Sequence, residues 1–273
     1  MPEMQALAER VDEFVGGRTL TRVTSFGFAA LKTVRPSPDD VVGARCVRVS
    51  RRGKFFVLEL DSVRIAIHLS QGGRVDLENP AKSTKPRGAV VRFGFDGRAV
   101  LVKEFGTERK AGWWVLERGD DGPMAPLGPD PFDDAFAELV RGSTDGARIH
   151  TLLRDQRFVA GIGRGYSDDI LHRAQLSPYA TLAKLDASQR ERLIAATHEV
   201  LTAALTGERT RTGGLPAKLG QRFTVHGRAG TPCPACGSDL RRISFESHEI
   251  AYCPACQTEG KILADRRMSR LVR

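Results

Sequence analysis

The sequence predicts an α+β chain in which a helix leads into a β-sandwich and a helical domain then closes on a cysteine-bearing β-hairpin. Three observations carry this. Short apolar runs broken by glycine turns fill the first 116 residues, a helical apolar period returns after residue 134, and four cysteines stand as two Cys-x-x-Cys pairs near the C-terminus.

The first helix is read from Leu7, Val11, Phe14 and Val15, which recur at helical spacing, with Pro2 in a first turn where a missing N–H costs nothing. Gly16-Gly17 ends it. Strands follow at Ala44–Ser50, Phe55–Leu60, Val63–Leu69, Val90–Phe95 and Ala99–Val102, with turns at Gly53, Gly72-Gly73 and Gly97. Residues 117–134 hold Gly122, Pro123, Pro126, Gly128, Pro129 and Pro131, the composition of a linker. Helices are expected over Phe136–Val140, Ile149–Leu153, Ser167–Ala174, Tyr179–Ala183 and Ala187–Leu205. The domains predicted are thus 1–116, a linker at 117–134, a helical domain at 135–230, and a small metal module at 231–273.

The chain's 273 residues suit two compact domains. Forty-two Lys and Arg against 33 Asp and Glu give a formal net charge of +9, an excess that favours a polyanionic partner because each cation set on a phosphate releases condensed counterions. No apolar run approaches the roughly 18–20 residues of a membrane span, and no signal peptide opens the chain, so a reducing cytoplasm is expected. In that compartment paired cysteines are metal ligands before they are disulfides.

Cys233-Pro-Ala-Cys236 and Cys253-Pro-Ala-Cys256 are separated by sixteen residues. Two such turns complete a tetrahedral zinc site, and four thiolates leave no open position for water, so one structural Zn2+ is expected. Ile243-Ser-Phe and Ile250-Ala-Tyr between them suit a β-hairpin. Arg222, Arg228, Arg241, Arg242, Lys261, Arg266, Arg267 and Arg270 tilt the module towards nucleic acid, the competing reading being a solvated basic tail. Cys46 is read as a buried free thiol.

Nearly end to end, the chain resembles the formamidopyrimidine-DNA glycosylase/endonuclease VIII family. The matching pieces are Met1-Pro2-Glu3, Arg51-Arg-Gly-Lys54, His68-Leu69, Leu127-Gly-Pro-Asp-Pro131, Gly161-Ile-Gly163 with Tyr166, Asp168 and Leu171, Val225-His-Gly-Arg-Ala-Gly230, and the four cysteines. The resemblance implies a helix–two-turn–helix element over Gly161 to Leu171 and a base-excision repair enzyme, a DNA glycosylase and AP lyase. Pro2, exposed by removal of Met1, would be the nucleophile, Glu3 would handle protons, and Lys54 would contact the lesion's phosphate. His68, Gln71, Arg109, Gly163, Arg164, Tyr166, Arg228 and His248 are the DNA-contact candidates. The partner implied is damaged DNA, double- or single-stranded, and nothing in the chain gives a reason to expect more than a monomer.

Several positions depart from the family pattern. Gln5 and Ala6 stand where a second Pro-Glu is typical, Arg164 replaces the turn asparagine, Gln71 the void-filling methionine, Ala111 the wedge phenylalanine, and His248 the finger arginine. Trp113 and Trp114 are candidate substitutes for the wedge. The segment 210–221 is short for the loop that covers 8-oxoguanine in the purine-specific branch. Two further readings stay open: a damage-binding protein that keeps the fold without turnover, and a zinc-ribbon RNA-binding protein.

Overall fold

The computed structural model describes residues 1–216, 222–245 and 248–264, leaving aside the side chains of Phe245 and His248. Two compact units are formed, Met1–Pro126 with Leu205–Gly220, and Leu127–Ala204 with Gln221–Arg273.

In the first unit, α1 (Pro2–Val15) buries Leu7, Val11 and Val15 on one stripe and packs on two strands, β2 and β3 below. It stops where Gly16 N–H bonds Asp12 O at 2.7 Å and Gly17 takes φ +75°. The strands are β1 (Leu20–Ser25), β2 (Cys46–Arg52), β3 (Phe55–Leu60), β4 (Val63–His68), β5 (Gly73–Glu78), β6 (Ala89–Phe95), β7 (Arg98–Glu104) and β8 (Gly112–Glu117). They form two antiparallel four-stranded sheets, β1-β6-β7-β5 and β2-β3-β4-β8, around one core with α1. The expected sandwich is present. The sequence reading passed over β1, β5 and β8, the first two of which carry few core residues.

The second unit holds α2 (Asp134–Gly142), α3 (Ile149–Arg154), α4 (Arg164–Arg173) and most of α5 (Ala187–Arg209). It closes with the hairpin β9 (Arg241–Phe245) and β10 (His248–Tyr252), then the short α6 (Pro254–Thr258). The helix expected over Tyr179–Ala183 is absent; only a single 3-10 turn, Leu182–Lys184, forms there. Tyr179 instead lies under the Arg148 guanidinium, 3.9 Å from its ring centre.

The segment read as a linker divides between Pro126 and Leu127. From Leu127 onward it is tied into the second unit: Gly128 N–H donates to Gln156 O at 2.9 Å, and Pro129 O accepts from Ala160 N–H at 2.9 Å. Residues 205–209, the last turn of α5, belong with the first unit.

Candidate active site and metal centre

The first site lies at the start of α1. Burying the first turn against the sandwich takes the chain terminus out of water: Met1 is 5% exposed and Pro2 and Glu3 are buried with it. The Met1 amine lies 3.4 Å from Glu3 Oε2. Burial pushes that amine down to about 6; Glu3 opposes the shift, and the cations of Lys54 and Arg51 add to it. The terminus is thus held out of water beside a carboxylate, surroundings that favour the unprotonated form of an amine.

Lys54 is delivered by the β2–β3 hairpin. Arg52 pairs with Phe55, so Gly53 and Lys54 form a two-residue turn, and Gly53 supplies φ +58° at its first position. His68, at the end of β4, packs its ring 4.8 Å from Phe55. Its pKa is lowered, first by burial and then by Lys54. Lys54 therefore sits close enough to His68 for its charge to act there, and Lys54, Arg51 and Glu3 all act on the Met1 amine.

Gln71 and Arg109 are exposed, the first in the turn after β4 and the second in the loop between β7 and β8. Gly73 N–H to Leu69 O, 2.8 Å, closes the turn carrying Gln71. Glu104 Oε1 accepts from Lys110 N–H at 2.7 Å and Ala111 N–H at 2.9 Å, and so shapes the loop that carries Arg109. Of the two wedge substitutes, Trp113 is excluded. Ala111 is buried, and Trp113 is 0% exposed, edge-on to Phe93 in the sandwich core. Trp114 packs 5.6 Å from Phe55. Strand β8 alternates, so Trp113 is turned inward and cannot enter a base stack.

In the second unit the turns between α3 and α4 are held by one side chain. Gln156 donates to Arg154 O and Ile162 O, each at 2.9 Å, and accepts from Gly161 N–H at 2.9 Å, while Gly161 adopts φ +98°. Gly163 is the N-cap of α4 and brings no side-chain cap, and Arg164, the first residue of the helix, is exposed. Tyr166 is only 5% exposed, edge-on to Phe223 at 5.2 Å, and Gly165 is required because a Cβ there would lie 2.3 Å from the Phe223 ring. Tyr166 thus shapes the element by packing. Arg228 is half-buried and anchored to Thr224 O at 3.0 Å. The side chain of His248 lies outside the described residues.

Two adjacent aspartates on α4 fix the base of the finger. Asp169 accepts from Thr224, Val225 and His226 N–H at 2.7, 2.8 and 3.2 Å, and burial raises its pKa. Asp168, fully buried, takes His226 Nδ1 at 2.6 Å and Ala251 N–H at 3.0 Å, and lies 3.2 Å from His150 Nε2. The sequence reading named Asp168 but missed Asp169, Gln156 and Glu104, and it singled out Gln5 without its partner Arg51. Only the neighbouring carboxylates on an otherwise buried helix offered a signal.

The four cysteines converge. Their sulfurs all lie within 4.8 Å of one another, with Cys233–Cys256 at 3.9 Å and Cys236–Cys253 at 3.5 Å. A tetrahedron with metal–sulfur bonds of ~2.3 Å has edges of ~3.8 Å, so the cluster fits a four-coordinate ion, and the separations far exceed a disulfide bond. Hydrogen bonds from Ser238 push the Cys236 thiol down to about 6, whereas burial pushes Cys253 and Cys256 up. Two buried thiols crowded together need a cation to ionise. Cys46, in the first unit, is a buried thiol raised to about 12, foremost by burial.

A helix-led β-sandwich followed by a glycine-turned helix pair and a four-cysteine hairpin is the architecture of a class of DNA glycosylases. The formamidopyrimidine-DNA glycosylase N-terminal domain model matches residues 1–114, and the formamidopyrimidine-DNA glycosylase H2TH domain model matches residues 127–213. Formamidopyrimidine-DNA glycosylase of Thermus thermophilus is 35% identical over 275 residues, covering 95% of this chain and 98% of that one. An uncharacterised formamidopyrimidine-DNA glycosylase-like protein of Mycobacterium tuberculosis is 44% identical over 155 residues, 54% of this chain and 94% of that one. The fold matches that of Lactococcus lactis formamidopyrimidine-DNA glycosylase bound to DNA containing an AP site, with a TM-score of 0.83 at 20% identity over 94% of this chain and 99% of that one. The chain belongs to the formamidopyrimidine-DNA glycosylase/endonuclease VIII family. Among the described residues no helix is long and apolar enough to cross a membrane.

Proposed function

We propose that this protein excises oxidised bases from DNA and cleaves the resulting abasic sites through the amine of Pro2. The observation that carries the reading is the buried terminus, an amine 3.4 Å from Glu3 Oε2 with Lys54 and Arg51 close enough to depress its pKa. Removal of Met1 turns Pro2 into a secondary amine in these surroundings. Its nitrogen bonds C1′ while the base leaves with the glycosidic electron pair and a proton. Protonation of O4′ then opens the sugar and leaves an iminium. That electron sink acidifies the C2′ proton; its loss expels the 3′ phosphate, and water finally hydrolyses the imine. Glu3, 3.4 Å from the terminal amine, would carry these protons, and Lys54 would meet a phosphate.

The remaining contacts divide between the units: Gln71 and Arg109 on turns of the sandwich, and Arg164, Arg228 and the amides after Gly163 on the helical unit. His248, the replacement for the finger arginine, is assigned to a phosphate as well. The four cysteines would hold one Zn2+, which supplies folding energy to the hairpin and takes no part in the chemistry.

The test is trapping on AP-site duplex with borohydride, after mass spectrometry has established loss of Met1. The processed wild type should give a covalent adduct that retained Met1 abolishes and that Pro2→Gly, which leaves a primary amine, forms more slowly, and Glu3→Gln should slow base release. Tight AP-site binding without any adduct would sink the lyase reading and leave a damage-binding protein.

A further inference from the structure

His172 is one of the few buried polar side chains of α4, and the chemistry proposed above makes no use of it. It is 7% exposed, and its Nε2 lies 3.2 Å from Cys233 Sγ, sixty-one residues away in the chain. We propose that His172 is an outer-sphere member of the metal centre, donating its Nε2–H to the Cys233 thiolate and tying the first Cys-x-x-Cys turn to α4.

The proposal rests on reading the four cysteines as a metal site. Four thiolates on a divalent cation carry a net double negative charge, and with Cys233 and Cys253 buried that charge has little help from water. N–H donors to the sulfurs disperse it, and such partners typically tune metal affinity ~10–100-fold. Cys253 Sγ accepts from its own turn, Cys256 N–H at 3.5 Å, and Cys236 is bonded by nearby Ser238. Cys233 is the ligand whose side-chain donor comes from another element. The second turn is tied to the residues just after α4: Gln257 Oε1 accepts Cys253 N–H at 2.8 Å while its Nε2 donates to Leu176 O at 2.8 Å. Both ligand pairs therefore hang from the end of α4 and the residues just after it, and occupancy of the metal site and docking of the finger on that helix become one event.

The experiment compares the zinc-loaded full chain with His172→Phe and His172→Gln, timing metal release to a chromophoric chelator and recording the cobalt-substituted spectra. His172→Phe should release zinc at least ~10-fold faster, with its thiolate-to-cobalt absorption moved to lower energy, because one sulfur has lost a donor. The glutamine, which keeps an N–H in reach, should restore both. Wild-type rates and spectrum in a folded His172→Phe overturn the proposal. So does faster release from both variants with unmoved cobalt spectra, which marks the ring as packing alone. If the phenylalanine variant fails to fold, the wild type still decides: in cadmium-loaded protein the imidazole NMR should show the proton on Nε2 coupled to the metal, and a ring protonated only at Nδ1 overturns the assignment. A chain that takes up neither zinc nor cobalt overturns the metal reading itself, independently of the trapping result on DNA.

Discussion

Gln5 Oε1 accepts a hydrogen bond from Arg51 Nε at 3.1 Å, joining α1 to the hairpin that carries Lys54. Arg51 also donates to Gly53 O at 3.2 Å, bracing that turn. On its other side Gln5 donates to Glu9 Oε1 at 2.9 Å, and Glu9 accepts from Arg209 at 2.8 and 2.6 Å. Gln5 thus occupies the place of the typical second Pro-Glu with a connection between Pro2's helix and Lys54's turn. A half-buried hydrogen bond to a charged partner contributes ~1–2 kcal/mol. Gln5→Ala should therefore lower the melting temperature by a few degrees and slow borohydride trapping on AP-site DNA roughly 5–10-fold, the rate loss matching a kilocalorie or so of lost positioning. Gln5→Glu, which keeps an acceptor, should recover most of it. Equal single-turnover rates for wild type and alanine would show that the Lys54 turn does not depend on this bridge.

The depressed His68 pKa offers a test of where Lys54 sits. Burial is the larger cause and the Lys54 cation the second. Lys54→Met should raise the His68 pKa while leaving it below its ordinary value, as followed by the imidazole resonances in an NMR titration. The sign for stability follows. Because the folded value lies below the unfolded one, His68 contributes stability that is present above ~6.5 and is lost as pH falls through the folded value. The methionine variant should lose less on acidification. An unchanged His68 titration would place the Lys54 ammonium elsewhere.

The two kinds of site were not equally readable in the sequence. The cysteines announced themselves because two ligands on one tight turn require fixed spacing, and the hairpin between them follows from its apolar residues. Strands β3, β4, β6 and β7 were legible as apolar runs, whereas β1 exposes or half-exposes all but Leu20 and reads as polar chain. Trp113 and Trp114 looked alike as free aromatics, and only the pairing of β8 with β4 decided which one faces the core. Gln5–Arg51 and His172–Cys233 leave no local trace, since the partners lie 46 and 61 residues apart. Gln156 was equally hidden, because a side chain that satisfies backbone groups of a turn has no sequence period.

Gly128 can be tested for its part in seating the Leu-Gly-Pro-Asp-Pro segment. A Cβ at this position would lie 2.3 Å from Arg157 O and 2.7 Å from Phe158 O, both backbone atoms that cannot swing aside. Relief requires moving the segment or the turn after α3, and the Gly128 N–H bond to Gln156 O would be lost with it. Gly128→Ala should therefore destabilise the second unit by about 3 kcal/mol, the upper end for overpacking, as read from urea unfolding followed by a probe in that unit. A cost under ~0.5 kcal/mol, the range of an ordinary surface substitution, would mean the close approach is not maintained in solution.

Metal removal should separate the hairpin from the rest of the protein. Apart from the thiolates, the finger's own apolar groups are few: Val225 and Leu240 cluster with Cys233 and Cys253, and Ile243, Ile250 and Tyr252 form a second patch with Tyr179 and Leu263. So small a core cannot offset the chain entropy of the hairpin without a staple. The carboxylate of Asp168 on Ala251 N–H adds one anchor, not a fold. Chelation should abolish hydrogen-exchange protection over Arg241–Phe245 and His248–Tyr252, while the amides of Phe55–Leu60 in the sandwich keep theirs. Metal analysis of the untreated protein should give one zinc per chain. Protection that survives complete chelation would locate the stability of the finger in its contacts with α4, and the four thiolates would then serve something other than folding.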